Sequence, residues 1–238
     1  MADVSVAAIS EAAGLRREST LDATQLPLWL ARLHRALPVG DTVRFTMSGT
    51  LPVSFDMILE GAGFSLDNGN LVRLNTLPDV VSAGMKVLVC GLNPSPHAAT
   101  AGIPFSRNGN RLWPAALQAG LVQRDRDQYE ALTANRVGFT DLVKRTTRRA
   151  DEVTASEFRS GVVRLERLVR WLRPTSILMV GLTGWRQGLD RSAEAGWQSA
   201  PLGETPVYLM PNTSGLNARE SLDSLADHLR MLLKGQGN

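Results

Sequence analysis

The chain has 238 residues, 43% of them hydrophobic, and no apolar run reaches the length that a membrane-spanning helix needs. Its one cysteine, Cys90, excludes an internal disulfide and a four-cysteine iron–sulfur cluster. The formal net charge of +3 is uneven: residues 1–84 hold six Lys/Arg against nine Asp/Glu, residues 85–238 twenty against fourteen, and such a basic C-terminal part suits a polyanionic partner.

Residues 1–24, rich in Ala, Ser and Glu, read as a mobile tail. Their start lacks the basic n-region of a signal peptide, so a cytoplasmic location is expected. Residues 25–76 read as a small α/β appendage. Pro27–Leu37 has the apolar spacing of a helix, Val43–Met47 alternates like a strand, Val53–Gly61 is a helix ended by glycine, and Leu71–Leu74 is a short strand. This order weakly resembles the C-terminal half of a Rossmann-like methyltransferase. The glycine-rich nucleotide loop of such a fold is missing, so no cofactor is expected.

Val87–Cys90 is a continuous apolar run between Gly84 and Gly91, the pattern of a strand buried on both faces. A loop follows in which Pro94 forbids immediate helix, and it places Asn93 at a strand's carboxyl end, where open α/β sheets bind ligands. Leu112–Gly120 reads as a short helix, residues 123–136 as a charged surface segment, and Ala155–Leu172 as a helix opened by the Thr154/Glu157 capping box. Strands are expected at Ser176–Val180 and Val207–Met210, each with a glycine-containing exit loop, and a final helix at Leu222–Leu233. The alternation predicts a three-layer α/β/α sandwich with a mostly parallel central sheet over residues 77–238, its strand exits gathered on one edge. This part is expected to fold and act without the segment before it.

Three co-linear segments resemble the mismatch-specific uracil/thymine DNA glycosylases of the uracil-DNA glycosylase superfamily. The first is Gly91-Leu92-Asn93-Pro94 with Gly102–Phe105 and Asn110–Trp113, the second Gly138–Val143, the third Leu209–Leu216. The resemblance implies a monofunctional glycosylase that flips a uracil or related pyrimidine out of DNA, acting as a nucleoid-associated monomer with no metal and no cofactor.

Residue roles follow from the same likeness. Asn93 would position the attacking water; as an isolated residue it could equally cap a turn. Gly91, Leu92, Pro94, Ser95, Phe105 and Asp141 would form the base pocket, with Phe105 stacking on the base or serving as a core aromatic. Ser95 stands where glycine is usual and would narrow the pocket. Asp141 stands where relatives carry Lys or Asn; it would read the base edge or steady water, or only cap the surface. Asn212, Ser214, Gly215 and Leu216 would form a wedge entering the vacated stack, unless Leu216 is a core residue. Thr213 and Ala218 depart from the usual Pro and Arg, with Arg219 adjacent. Lys144, Arg145, Arg148, Arg149 and Arg219 are candidates for phosphate contacts, or for an ordinary solvated face. His97 reads as incidental. Two rivals remain: a lesion-binding module without turnover, and a small-molecule enzyme related to methyltransferases.

Overall fold

The computed structural model describes residues 3–10 and 13–235. It contains two five-stranded sheets. The first belongs to the N-terminal part and runs in the order β2-β1-β3-β5-β4, built from β1 (Asp3–Ser10), β2 (Leu15–Asp22), β3 (Thr42–Ser48), β4 (Phe64–Asp67) and β5 (Asn70–Arg73). All its pairings are antiparallel. Helices α1 (Leu26–Ala36) and α2 (Phe55–Ala62) fall where the apolar spacing put them, and Gly63 ends α2 in the left-handed conformation.

The expected mobile tail is a correction. Residues 3–10 and 15–22 form a hairpin whose first strand turns Val4, Val6 and Ala8 inward, fully buried. The alternation is present in the sequence, but alanine and serine are weak strand formers, so pairing with β3 rather than local propensity stabilises it.

The second sheet runs β7-β6-β8-β10-β9, from β6 (Val87–Gly91), β7 (Val137–Asp141), β8 (Ser176–Val180), β9 (Gly196–Trp197) and β10 (Val207–Met210). Its pairings are parallel except at the edge strand β9. Strand β7 lies inside the segment that resembled the glycosylases, though its glycine and threonine gave no apolar run. Alternate residues of β6 feed two cores. Val87 and Val89 pack with Leu112 and Trp113 of α4 (Leu112–Ala119) and Leu225 and Leu229 of α8 (Leu222–Lys234). Leu88 and Cys90 pack on the other face with Leu165 and Leu168 of α6 (Ala155–Leu172). This is the expected α/β/α sandwich. The core on the α6 side does not stop at residue 77: it continues through Leu30, Leu33, Met57, Val43 and Val4 into the N-terminal sheet.

Candidate active site

The carboxyl ends of β6, β7, β8 and β10 open on a cavity of about 250 Å³. Asn93, Pro94 and Ser95 line it after β6, Asp141 at the end of β7, Gly181 to Thr183 after β8, and Asn212 after β10. Strand β6 exits through Gly91, and the loop behind it is pinned by its carbonyls: those of Gly91, Leu92 and Pro94 accept from the backbone N–H groups of Leu142, Val143 and Thr147 at 2.9, 3.0 and 3.1 Å.

Gly91 has an ordinary backbone conformation and is required for space. A Cβ there would lie 2.4 Å from Asp141 Oδ1 and 3.1 Å from Phe105 Cζ. The carboxylate and the ring edge therefore meet on the pocket floor. Phe105 has a φ of 55°, left-handed and costly for an aromatic residue, which neighbouring bonds must hold in place. Trp113 Nε1 donates to the Pro104 carbonyl at 2.7 Å and Gln128 Nε2 to the Gly102 carbonyl at 2.6 Å, clamping the segment on both sides. Trp113 itself stacks on Phe139 of β7. Leu92, half-buried, also lines the cavity, and its Cδ1 would lie 2.8 Å from a Cβ added to Gly184 of α7 (Thr183–Gly188).

The Asn93 side chain is half committed. Its Nδ2 donates to Thr147 Oγ1 at 2.7 Å and to the Arg145 carbonyl at 3.0 Å, so the amide nitrogen ties down the strap of residues 145–147. The amide oxygen remains as an acceptor on a cavity-lining side chain. Ser95 lines the cavity, and its hydroxyl is engaged at a helix start. Its Oγ accepts from Ala98 N at 3.2 Å, capping α3 (Pro96–Ala101).

Asp141 is 7% exposed. Its backbone carbonyl accepts from Arg164, but among the described residues its carboxylate makes no hydrogen bond or ion pair. Burial pushes its pKa up to about 6 against the opposing pull of Lys144. Behind it lies a buried ionic cluster that the sequence did not announce. Asp79 accepts from Thr140 Oγ1 at 2.7 Å, Lys144 Nζ at 2.8 Å and Arg164 Nη1 at 2.8 Å. Burial alone would raise the Asp79 pKa, but the two cations hold it below the usual carboxylate range. Asp79→Ala would leave two buried cations unpaired, and the expected loss is about 3–5 kcal/mol, measured by urea unfolding.

That cluster corrects one expected phosphate contact. Lys144 is 6% exposed and its ammonium faces Asp79, away from any DNA surface, because the strand-end geometry turns it inward. Arg145 is exposed, yet its guanidinium engages Glu157 through two bonds and the Glu152 carbonyl through a third. Arg149 pairs with Asp151. Arg148 and Arg219 are exposed and, among the described residues, make no hydrogen bond or ion pair through their side chains. Arg107, which sequence reasoning passed over, is equally free and lines the cavity.

The four-strand convergence and the three motif loops around one cavity agree with the family comparison. Residues 78–233 match the model of the uracil DNA glycosylase superfamily. The chain belongs to that superfamily. Membership makes it a DNA glycosylase, a hydrolase that acts on DNA in repair. No described helix is long and apolar enough to cross a membrane.

Uracil DNA glycosylase superfamily membership gives the Asn212–Arg219 loop its context. Leu216 is 86% exposed, so the core alternative is excluded. The loop beneath it is rigidly built. Asn212 Oδ1 accepts from Ser214 N at 2.9 Å, and Gly215 packs on the backbone of Gly109, whose carbonyl would lie 2.8 Å from an added Cβ. Arg111 is the loop's fastener: its guanidinium donates to the carbonyls of Ser214 at 3.1 Å, Asn217 at 2.7 Å and Glu220. Thr213, in place of the usual proline, is fully buried and donates to Asn110 Oδ1 at 3.1 Å. Sequence reading missed Arg111 and Thr147 because both act through backbone carbonyls or a single hydroxyl brought near only by folding.

Proposed function

We propose that this protein is a monofunctional glycosylase that hydrolyses the N-glycosidic bond of uracil, or of a related modified or mismatched pyrimidine, in DNA. The observation that carries the reading is that Asn93 lines one cavity with Phe105 and Asp141, its amide oxygen without a hydrogen-bond partner among the described residues. A base rotated out of the stack would lie against the Phe105 ring. As the glycosidic bond breaks, its electron pair leaves with the base and positive charge develops on the sugar. Asn93 orients a water whose oxygen bonds to the sugar carbon and whose proton passes to solvent. An amide cannot remove that proton, so bond breaking leads and water addition follows.

The chain has three lysines, Lys86, Lys144 and Lys234. None lines the cavity, and Lys144 is bound to Asp79, so no lysine amine is placed to attack the sugar and cleave the strand. The free guanidinium groups of Arg107, Arg148 and Arg219 are the phosphate contacts in this reading, and binding should weaken with salt accordingly. A duplex with one uracil, treated with the protein, is expected to break at the uracil only after alkali. Breakage without alkali would show a lyase; no alkali-labile site on uracil or mismatched pyrimidines would remove the proposal.

Leu216 acts as the wedge. In a duplex it replaces part of the stacking lost on extrusion, on the order of a few kcal/mol per step. Losing about 1.4 kcal/mol of that lowers the flipped population tenfold. Leu216→Ala is therefore expected to slow excision from duplex DNA about tenfold, to affect single strands much less, and to leave the melting temperature unchanged. Equal losses on both substrates would show that Leu216 does not act in the stack.

A further inference from the structure

We propose that Asp141 reads the hydrogen-bonding edge of the flipped pyrimidine as the neutral carboxylic acid, donating one hydrogen bond and accepting another. The inference rests on the reading of the cavity as a base pocket and adds to it the protonation state in which the pocket works.

The geometry is that of a group left open for a ligand. Asp141 is more than nine-tenths buried as a residue, its carboxyl touches the space beside Gly91 next to the Phe105 ring edge, and it lines the cavity. The carboxyl has no hydrogen-bond partner among the described residues and stands on the cavity wall, where a ligand can reach it. The cations near it are already engaged: Lys144 and Arg164 both turn to Asp79. From β6, the Cys90 thiol behind it is held neutral by burial. On the cavity side stand the exposed guanidinium groups of Arg107, Arg148 and Arg149. Asp79, one residue-layer deeper, adds negative charge that favours protonation of Asp141.

Pyrimidine chemistry then selects the protonated form. The edge of a uracil presents an N–H donor next to a carbonyl acceptor; that of a cytosine-type base presents an amino donor next to a ring-nitrogen acceptor. A carboxylate offers only acceptors and would face the base's own acceptor with an uncompensated repulsion. A carboxylic acid offers one donor and one acceptor, and complements either edge. It also places no negative charge beside a departing base anion. A pKa already raised to about 6 in the empty pocket means that protonation on binding costs little near neutrality. Because both kinds of edge are matched, Asp141 admits pyrimidines broadly where an asparagine amide, fixed by its own neighbours, matches one.

The test is the carboxyl pKa of Asp141, followed by carbon-13 NMR in the full chain with and without a duplex carrying a non-hydrolysable 2′-fluoro-deoxyuridine. It is expected near 6 when free and more than one unit higher when bound, with no such rise on a duplex lacking the uracil analogue. In single-turnover excision from a uracil duplex, the wild type should slow by up to about tenfold per pH unit above the bound pKa, while Asp141→Asn should show no such slope. A carboxyl pKa that is unmoved or lowered by the uracil duplex overturns the proposal, as does an Asp141→Asn profile with the wild-type slope. A pKa rise in a protein that excises nothing would uphold edge reading and remove only the catalytic assignment.

Discussion

Asn93→Ala is expected to slow base release by roughly 10²–10³-fold while changing affinity for uracil DNA by no more than a few-fold. The loss has two expected sources. In the proposed mechanism, removal of the amide oxygen frees the water that adds to the sugar carbon. Removal of the amide nitrogen releases the Thr147 hydroxyl and the Arg145 carbonyl, which loosens the strap that carries Arg148 beside the cavity. Asn93→Asp separates the two. It keeps an acceptor oxygen but cannot donate to the strap, so a variant that binds normally and retains more turnover than the alanine form would assign the main effect to water. Near-normal excision by Asn93→Ala would overturn the central assignment. Single-turnover rates with a uracil duplex, together with affinity for the 2′-fluoro analogue, give both quantities.

Removal of residues 1–76 is expected to be as damaging, contrary to what the sequence suggests. The motifs and the basic surplus all lie beyond Leu77, yet the N-terminal part is bonded to the active-site strap. Thr76 Oγ1 donates to the Lys144 carbonyl at 2.5 Å, Thr146 Oγ1 to the Asn75 carbonyl at 2.8 Å, and the Asp79 N–H to the Gly61 carbonyl at 2.7 Å. Gly61 closes over the Asp79 carboxylate so tightly that a Cβ would lie 2.4 Å from its oxygen. Cutting the chain at Leu77 therefore opens the ionic cluster to water and exposes the core that runs from α6 into the N-terminal sheet. The shortened chain should aggregate or lose its cooperative transition, and any soluble fraction should excise at least about tenfold more slowly than the full chain, since small displacements at a site cost that much. A shortened chain with the same melting temperature and excision rate would show that the appendage is dispensable.

Several features were legible in the residues alone because their signals are local. The capping box at Thr154 and Glu157 places the start of α6 by hydrogen bonds within one turn, and the structure contains both of them. The apolar runs at 87–90, 176–180 and 207–210 become strands because no other arrangement hides them on both faces. Gly91-Leu92-Asn93-Pro94 places an amide on a strand exit through backbone geometry that proline and glycine impose within four residues. These local rules sufficed for the three-layer class and for the place of Asn93, and the resemblance of three ordered motifs supplied the superfamily.

The remaining features depend on which distant side chains share a small volume. Lys144 reads as one member of a basic run; only the packing of β7 against α6, with Gly161 letting the helix approach the Leu142 carbonyl, brings it within reach of Asp79 and out of reach of DNA. Asp141 reads equally as a base-pocket residue and as a surface acid until the same packing buries it with no side-chain hydrogen-bond partner among the described residues. Leu216 carries no local mark distinguishing core from surface, and its exposure follows from the Arg111 guanidinium holding the loop outward by three carbonyls. Charge and hydrophobicity are properties of a residue, and the sequence by itself determined those. Burial, pairing and protonation are properties of a neighbourhood, and here each neighbourhood joins residues tens of positions apart, so only the tertiary structure could decide them.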